Sequence, residues 1–152
     1  MATIQHVQRV WTNFLKKEGF DAYALSGLKL VSVSKGTCLA ELEVAPHHLN
    51  RLGGCHGGLL STIVDVGGTL AIAADGMHAT GISTDISVSF VSGAKLGDKL
   101  SINSRCHKIG GSLAYTDVEI AVEDKVVALG RHTKFVRLAH KLNAQQKLDG
   151  EA

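Results

Sequence analysis

The residue types best suited to chemistry lie in one short segment, residues 50–65. Asn50 opens a glycine-rich stretch that ends in Gly57 and Gly58, and an apolar run then reaches Asp65. A glycine-rich loop entering a helix presents backbone N–H groups to an anion or to a polarised carbonyl. One such donor stabilises a developing oxyanion by roughly 2.7–4 kcal/mol. We expect Gly57 to be that donor, since it has no side chain to block a close approach. The alternative is that these glycines only pack the helix on a sheet.

Asp65 is the one ionisable side chain in the apolar run 57–74. An apolar run of this length predicts a helix buried inside the protein. An aspartate at a bilayer centre costs about 2.5–3.5 kcal/mol, so no stable membrane insertion is predicted. A buried carboxylate usually has a raised pKa, which suits a general base. The alternative is a structural role, in which the Asp65 carboxylate accepts hydrogen bonds from the hydroxyls of Ser61 and Thr69, one turn away, or pairs with an arginine.

The spacing of Gly57 and Asp65 bears on oligomeric state. Eight residues separate them, which is about 12 Å along a helix. A general base must come within about 2.6–3.2 Å of the proton that it takes, directly or through a water. One helix cannot easily bring both groups to one carbonyl, whereas two antiparallel copies across a two-fold axis can. The spacing therefore favours a homodimer with two shared sites.

Other candidate sites are less specific. Cys55 and His56 suggest a thiol nucleophile, but no third group is evident to orient the histidine, and we interpret Cys55 as a small structural side chain. The possible metal ligands follow neither an HExxH nor a CxxC spacing, so no metal site is predicted; they are His47, His48, His56, Cys106 and His107. The basic residues of the second half are either solvated strand ends or a rim for ligand phosphates: Lys95, Lys99, Lys108, Arg131, Lys134 and Arg137.

Composition limits the class of protein. The chain has 152 residues, 45% of them hydrophobic and 20% charged, which predicts one folded domain over 1–152. A net charge of +2 and an aromatic share of 5% argue against a nucleic-acid partner. Three cysteines without a CxxC pair favour a reducing compartment. With neither a secretory signal nor a terminal SKL, we expect a cytoplasmic or mitochondrial location.

Periodicity predicts the elements that position these residues. A helix is expected over 3–17, two strands over 28–44 with a turn at Lys35-Gly36, the buried helix over 57–74, and four antiparallel strands over 81–138. The first of these four strands places its apolar residues, Ile86, Val88 and Phe90, on one face, and Ser83, Asp85, Ser87 and Ser89 on the other. The tail 140–152 is expected to be frayed or helical. The arrangement indicates an α+β fold, with a sheet wrapped around the central helix and a core over about 28–138.

Four segments together resemble the hotdog-fold acyl-CoA thioesterases of the PaaI type. They are HLNRLGGCHGGLLSTIVDVGGTLA, GISTDISVSFVSGAKLGD, HKIGGSLAYTDVEI and ALGRHTK, and the resemblance runs from about residue 28 to 134. It implies a hotdog fold, in which an antiparallel sheet curls around a central helix. It also implies dimers with a continuous sheet, commonly paired into tetramers. The implied activity is hydrolysis of the thioester of coenzyme A without a metal or a bound cofactor.

The resemblance also implies roles for individual residues. Gly57 polarises the thioester carbonyl and Asp65 of the neighbouring subunit activates water, while Asn50 and Ser83 hold that water or the carbonyl. His56 orients the site near the thioester. The implied contacts to coenzyme A are Ser83, Asp85, Phe90, Lys95, Lys99, Lys108, Ile109, Gly110, Gly111, Ser112, Leu113 and Arg137.

Two departures from the family pattern affect the coenzyme A contacts. The family usually has proline where Gly93 stands, which predicts a looser loop here. It often has lysine where Gly111 stands, and we expect Arg137 or Lys134 to replace that phosphate contact.

Three functions stay open at this point. The first is an acyl-CoA thioesterase for medium to long acyl chains, with Leu60, Ile63, Val64 and Phe90 as the apolar wall of a tunnel. The second is a hydratase or dehydratase of hydroxyacyl-CoA, although His56 has no carboxylate neighbour in the loop at the helix entry, where those enzymes pair a histidine with an Asp or Glu. The third is a non-catalytic acyl-CoA binding protein, against which the full set of site residues argues.

Overall fold

A computed structural model describes residues 2–150, and within them it contains four α-helices and six strands. In chain order these are α1 (Ile4–Leu15), α2 (Phe20–Leu25), β1 (Lys29–Ser34), β2 (Thr37–Glu43), α3 (Gly57–Ala74), β3 (Ile82–Phe90), β4 (Lys99–Ile109), β5 (Leu113–Val122), β6 (Lys125–Phe135) and α4 (Arg137–Leu148). The elements predicted for the central part of the chain are confirmed. Met1 and residues 151–152 of the predicted tail lie outside the described residues.

The six strands form one antiparallel sheet in the order β1-β2-β4-β5-β6-β3. The β1–β2 hairpin closes at Lys35-Gly36, where Gly36 has a φ of +67°, a conformation that glycine adopts without strain. β4, β5 and β6 form a meander, and β3 pairs with β6 on its far side. β1 and β3 are therefore the two edges of the sheet.

The sheet curls around α3, which contacts β2, β3, β4, β5 and β6. Glycines allow the close approach: a Cβ on Gly68 would lie 2.4 Å from Thr116 Oγ1, and one on Gly130 would lie 2.4 Å from Val64 Cγ2. By length and composition alone α3 could cross a membrane, but 72% of it is buried within the protein. It is thus the core helix that the sequence predicts.

The two ends of the chain differ from prediction. α1 begins after Thr3, whose side chain accepts a hydrogen bond from His6 N at 3.3 Å, and it ends two residues earlier than expected. The short helix α2 was not predicted, because six residues carry too little periodicity to be recognised. α4 begins at Arg137, inside the predicted core, and extends the described part of the tail as a helix.

Candidate active site

Asn50 closes the loop that leads into α3. Its Oδ1 accepts hydrogen bonds from Leu52 N at 2.9 Å and Gly54 N at 3.1 Å, and Asn50 N donates to Gly54 O at 2.7 Å. Such side-chain to backbone bonds are typical of asparagine in turns. Because Oδ1 is occupied, only the Nδ2 group is left to donate to a carbonyl or to a water.

The first amide of α3 is available for a ligand. His56 caps the helix, with its Nδ1 accepting from Gly58 N at 2.8 Å. Leu59 N and Leu60 N donate to His56 O at 3.0 and 3.3 Å. Within residues 2–150, the N–H group of Gly57 has no recorded acceptor. Of the first four amides of α3, Gly57 is the one that can donate to an oxyanion, as its position in the sequence predicts.

Phe90 lies beside this amide. A Cβ on Gly57 would lie 3.2 Å from Cε1 of the Phe90 ring. Phe90 is 58% exposed, so an apolar surface lies open beside the Gly57 amide.

Asp65 lies on the one face of α3 that the sheet leaves uncovered. Its side chain is 43% exposed, so the prediction of a buried carboxylate is wrong for the single chain. Gly57 and Ser61 share this face, because each is four residues from the next. The two hydroxyls that were expected to donate to the Asp65 carboxylate donate to backbone carbonyls instead. Ser61 Oγ donates to Gly57 O at 3.1 Å, and Thr69 Oγ1 donates to Asp65 O at 3.0 Å.

A β-bulge turns Ser83 toward Asp65. The register of β3 against β6 shifts between Ser83 and Asp85, leaving Thr84 as the extra residue. Ser83 therefore faces the helix side of the sheet, whereas Asp85 lies on the outer face. The expectation that both share one face is wrong, because strict alternation along a strand takes no account of a bulge.

Sequence reasoning missed His132, a fully buried residue of β6. Its Nδ1 lies 3.0 Å from Asp65 O, and its Nε2 lies 2.7 Å from Ser83 Oγ and 3.7 Å from Asp65 Oδ1. A carbonyl oxygen only accepts, so Nδ1 carries the proton and Nε2 of the neutral ring accepts from the Ser83 hydroxyl. Burial lowers the pKa of His132, which favours this neutral form. The lone pairs of Ser83 Oγ are then left to accept from a water.

Lys134 is not placed to replace the missing phosphate contact, which leaves Arg137 of the two residues expected to do so. Lys134 is only 5% exposed, and its Nζ donates to Thr69 Oγ1 at 2.8 Å and to Thr80 Oγ1 at 3.5 Å. Side chains alternate between the two faces of a strand, so Lys134 lies on the same inward face of β6 as His132, two residues earlier. The signal in the sequence was the presence of two polar residues on the otherwise apolar inward face of β6.

The predicted coenzyme A contacts form two groups in one chain. Lys95 lies beside the loop before α3, where Gly54 and Lys95 form an isolated β-bridge, and Lys99 Nζ lies 3.8 Å from Glu41. Lys108 lies at the other end of β4, nine residues or about 30 Å away from Lys99. One chain therefore does not bring all of these lysines together.

Arg137 belongs with the second group. Its Nη2 donates to Ser112 Oγ at 2.9 Å, and Val136 N donates to Ser112 O at 2.8 Å. His140 of α4 bonds Gly110 O at 2.9 Å. The beginning of α4 thus holds the turn between β4 and β5, the turn that carries Ile109, Gly111 and Leu113.

Two further expectations concern apolar and thiol groups. Leu60, Ile63 and Val64 are buried in the core of the chain, so they do not line an open tunnel, and that prediction is wrong.

Burial, with Asp98 nearby, raises the pKa of the Cys55 thiol, which disfavours the thiolate that a nucleophile requires. Within residues 2–150, no group of three or more His, Cys, Asp and Glu is placed to hold a metal ion.

Comparisons with known proteins agree with this fold. Residues 52–133 match the family model of the Thioesterase superfamily. The chain is 35% identical over 132 residues to acyl-coenzyme A thioesterase 13 of Homo sapiens, which covers 86% of this chain and 94% of the relative. Thioesterase superfamily member 2 of zebra fish superposes with a TM-score of 0.81 at 32% identity, over 89% of this chain and 99% of that one.

A structure with a bound ligand is also similar. It is a Streptococcus mutans protein bound to acetyl CoA, with a TM-score of 0.67 and 30% identity over 71% of this chain and 86% of that one. The hotdog fold predicted from the sequence is confirmed. The chain belongs to the thioesterase superfamily.

Proposed function

We propose that this protein hydrolyses the thioester bond of fatty acyl-CoA to a free fatty acid and coenzyme A. The observation that carries the proposal is the uncovered face of α3. This face presents the unbonded N–H of Gly57 and, eight residues on, the carboxylate of Asp65 beside the Ser83–His132 pair. The relatives named acyl-coenzyme A thioesterase support the substrate class.

The reaction needs two groups at one thioester carbonyl. Gly57 N–H donates to the carbonyl oxygen, while Asp65 takes a proton from the attacking water. The water oxygen bonds to the carbonyl carbon and forms a tetrahedral oxyanion. Collapse of this intermediate breaks the carbon–sulfur bond and releases the coenzyme A thiolate, which takes up the proton that Asp65 removed from the water. Ser83 accepts a hydrogen bond from the water, since its own hydroxyl proton is donated in a hydrogen bond to His132 Nε2.

A homodimer completes the site. About 12 Å of helix separate Gly57 from Asp65 within one chain, so the two groups at one carbonyl come from two copies of α3. β3 is an edge strand with exposed Ile82 and Phe90, and an unprotected edge of this kind favours pairing with a second copy. Pairing of two dimers into a tetramer follows only from the family resemblance.

The acyl chain and the coenzyme A moiety use different surfaces. Exposed Phe90 beside Gly57, and exposed Phe20 and Tyr23 on α2, support a preference for medium to long acyl chains. The turn held by Arg137, with Lys108 beside it, supports binding of the coenzyme A phosphates.

The test is thiol release from acyl-CoA substrates of increasing chain length by the wild type and Asp65→Asn. Loss of a general base lowers kcat by about 10²–10⁴-fold. Asp75→Asn, at the exposed C-terminal end of the same helix, is the matched control and keeps the wild-type rate. Full turnover by folded Asp65→Asn contradicts the mechanism.

The same samples separate the other two functions. Hydration of an enoyl-CoA without thiol release would indicate a hydratase. Binding of acyl-CoA without either reaction would indicate a binding protein.

A further inference from the structure

His48 is a buried histidine that the proposed hydrolysis does not use. It ends a short 3-10 turn, Pro46–His48, and is only 4% exposed. Its Nδ1 accepts from Ala45 N at 2.9 Å, and its Nε2 lies 2.7 Å from Ala24 O. A carbonyl oxygen only accepts, so Nε2 carries the proton and both ring nitrogens are hydrogen-bonded. Burial lowers the pKa of His48, which favours this neutral tautomer.

The Nε2 hydrogen bond joins His48 to α2. Ala24 lies in the last turn of α2, where the backbone carbonyls of a helix have no partner within the helix. α2 has six residues, no side chain caps its N-terminus, and its aromatic side chains Phe20 and Tyr23 are exposed. A helix this short is not stable by itself in water. The position of α2 therefore depends on contacts outside the helix, and His48 provides one of them.

The backbone of His48 joins the same turn to the entry of α3. His48 O accepts from His56 N at 2.8 Å, and His56 directly precedes Gly57, whose N–H is the proposed oxyanion donor. Backbone pairing of residues 49–50 with 54–55 closes the loop between them. One buried residue thus contacts α2 through its ring and the residue before the donor amide through its carbonyl.

We propose that His48 is a positioning residue, which holds the entry of α3 against α2 and thereby fixes the direction of the Gly57 N–H. The inference rests on the proposed function, in which this N–H donates to the thioester carbonyl and to the oxyanion formed from it. Such a donor stabilises the transition state only when it points to the position of the oxyanion. A displaced helix entry therefore slows the chemical step more than it weakens substrate binding.

Two variants separate the two ring bonds of His48. As many bonds separate the backbone from the Asn Oδ1 as from Nδ1, and from the Gln Nε2 as from the histidine Nε2. His48→Asn therefore keeps an acceptor for Ala45 N and loses the bond to α2, whereas His48→Gln keeps a donor for Ala24 O. We expect kcat for acyl-CoA hydrolysis to fall by up to about 10²-fold in His48→Asn, the effect of a shift of about 1 Å, with KM little changed. His48→Gln is expected to restore most of the rate.

His6→Asn is the matched control. His6 Nε2 donates to Met77 O at 3.1 Å, just beyond the opposite end of α3 from Gly57. The substitution removes the same kind of bond, from a histidine to a backbone carbonyl, without touching the helix entry, so the wild-type kcat is expected. A merely structural His48 would lower stability in its variants and leave kcat unchanged. Wild-type kcat in folded His48→Asn, or an equal loss in His48→Gln, overturns the proposal.

Hydrogen exchange of backbone amides tests the same connection without turnover. The two probes are His56 N–H and Tyr23 N–H, which donates to Gly19 O at 3.1 Å in the first turn of α2. We expect both to exchange faster in His48→Asn than in the wild type or in His48→Gln. Unchanged exchange of His56 N–H in His48→Asn contradicts the proposal. The expected exchange in a protein that hydrolyses no acyl-CoA refutes only the proposed function.

Ala22→Gly tests the connection without changing the buried histidine. Glycine in place of alanine weakens α2, so the equilibrium for its opening rises by about fivefold. If His48 transmits the loss to the helix entry, His56 N–H exchanges up to about fivefold faster. If neither His48 variant folds, unmoved exchange of His56 N–H in Ala22→Gly overturns the proposal alone.

Discussion

Buried polar side chains decide what the groups in this site can donate and accept. His132 donates to a backbone carbonyl through Nδ1, so Nε2 must accept from Ser83. The serine is thereby an acceptor toward the site and not a nucleophile, because a neutral, buried imidazole with no carboxylate on Nδ1 is a poor base. The hydrogen bonds of His132 therefore favour the proposed activation of water by Asp65 over covalent catalysis by Ser83.

Burial of His132 makes stability depend on pH. Its pKa is lower in the folded protein than in the unfolded chain, so the unfolded state takes up the proton first as the pH falls. The contribution to stability is present above about pH 6.5 and is lost as the pH falls toward the folded value. We expect the free energy of unfolding, measured in urea, to fall as the pH is lowered from 7 to 5. In His132→Asn the slope of this free energy against pH is expected to be smaller by up to about 1.4 kcal/mol per pH unit.

The exposed His140→Asn serves as the comparison for this experiment and is expected to keep the wild-type slope. His48, whose pKa is also lowered by burial, contributes in the same direction. Identical slopes in the wild type and in His132→Asn contradict the prediction.

The central helix can approach the sheet closely because glycines stand where the two meet. Gly67 and Gly68 face Ser104 and Thr116, and Gly130 of β6 faces Val64. In this part of α3, His132 and Lys134 reach from β6 to Asp65 O and Thr69 Oγ1. Close packing here keeps the carboxylate-bearing turn in a fixed position relative to β6.

We expect Gly68→Ala to lower the unfolding free energy by about 1–3 kcal/mol. Its new Cβ would lie 2.4 Å from Thr116 Oγ1 and 3.1 Å from His132 Cβ. The loss is measured by urea unfolding against Gly93→Ala, whose Cβ would meet nothing within 4 Å. Alanine otherwise favours a helix over glycine by about 1 kcal/mol. An equally stable or more stable Gly68→Ala would therefore show that the contact relaxes freely.

At the scale of the whole molecule, the proposed mechanism needs a second copy of the chain. The uncovered stripe of α3 and the edge strand β3 carry the candidate site residues, and exposed apolar side chains lie among them. In the proposed homodimer, a two-fold axis along this surface would cover both the stripe and the edge at once. Activity would then depend on dimer formation.

Mixing two inactive variants tests this shared site. Gly57→Val blocks the donor amide and Asp65→Asn removes the base. In a mixed dimer, one of the two sites keeps both intact groups. Random exchange of subunits therefore restores about one quarter of the wild-type rate, measured as thiol release after the variants are refolded together. Each variant alone is the control, and a mixture as inactive as its parents contradicts the shared site.

The sequence by itself determined the elements of the central part of the chain and pointed to Gly57 and Asp65, the two central residues of the candidate site. The apolar run around Asp65, the alternating strands and the glycine-rich helix entry are local patterns, and local hydrogen bonding and burial follow directly from them. The hotdog fold was also predictable, because the motif segments span most of the chain.

Only the tertiary structure decided which side chains meet. The bulge at Thr84 turns Ser83 inward, and β6 brings His132 and Lys134 to Asp65 from 67 and 69 positions further along the chain. The exposure of Asp65 depends on which face of α3 the sheet covers. Strand register and helix orientation arise from contacts distant in sequence, so no short pattern encodes them.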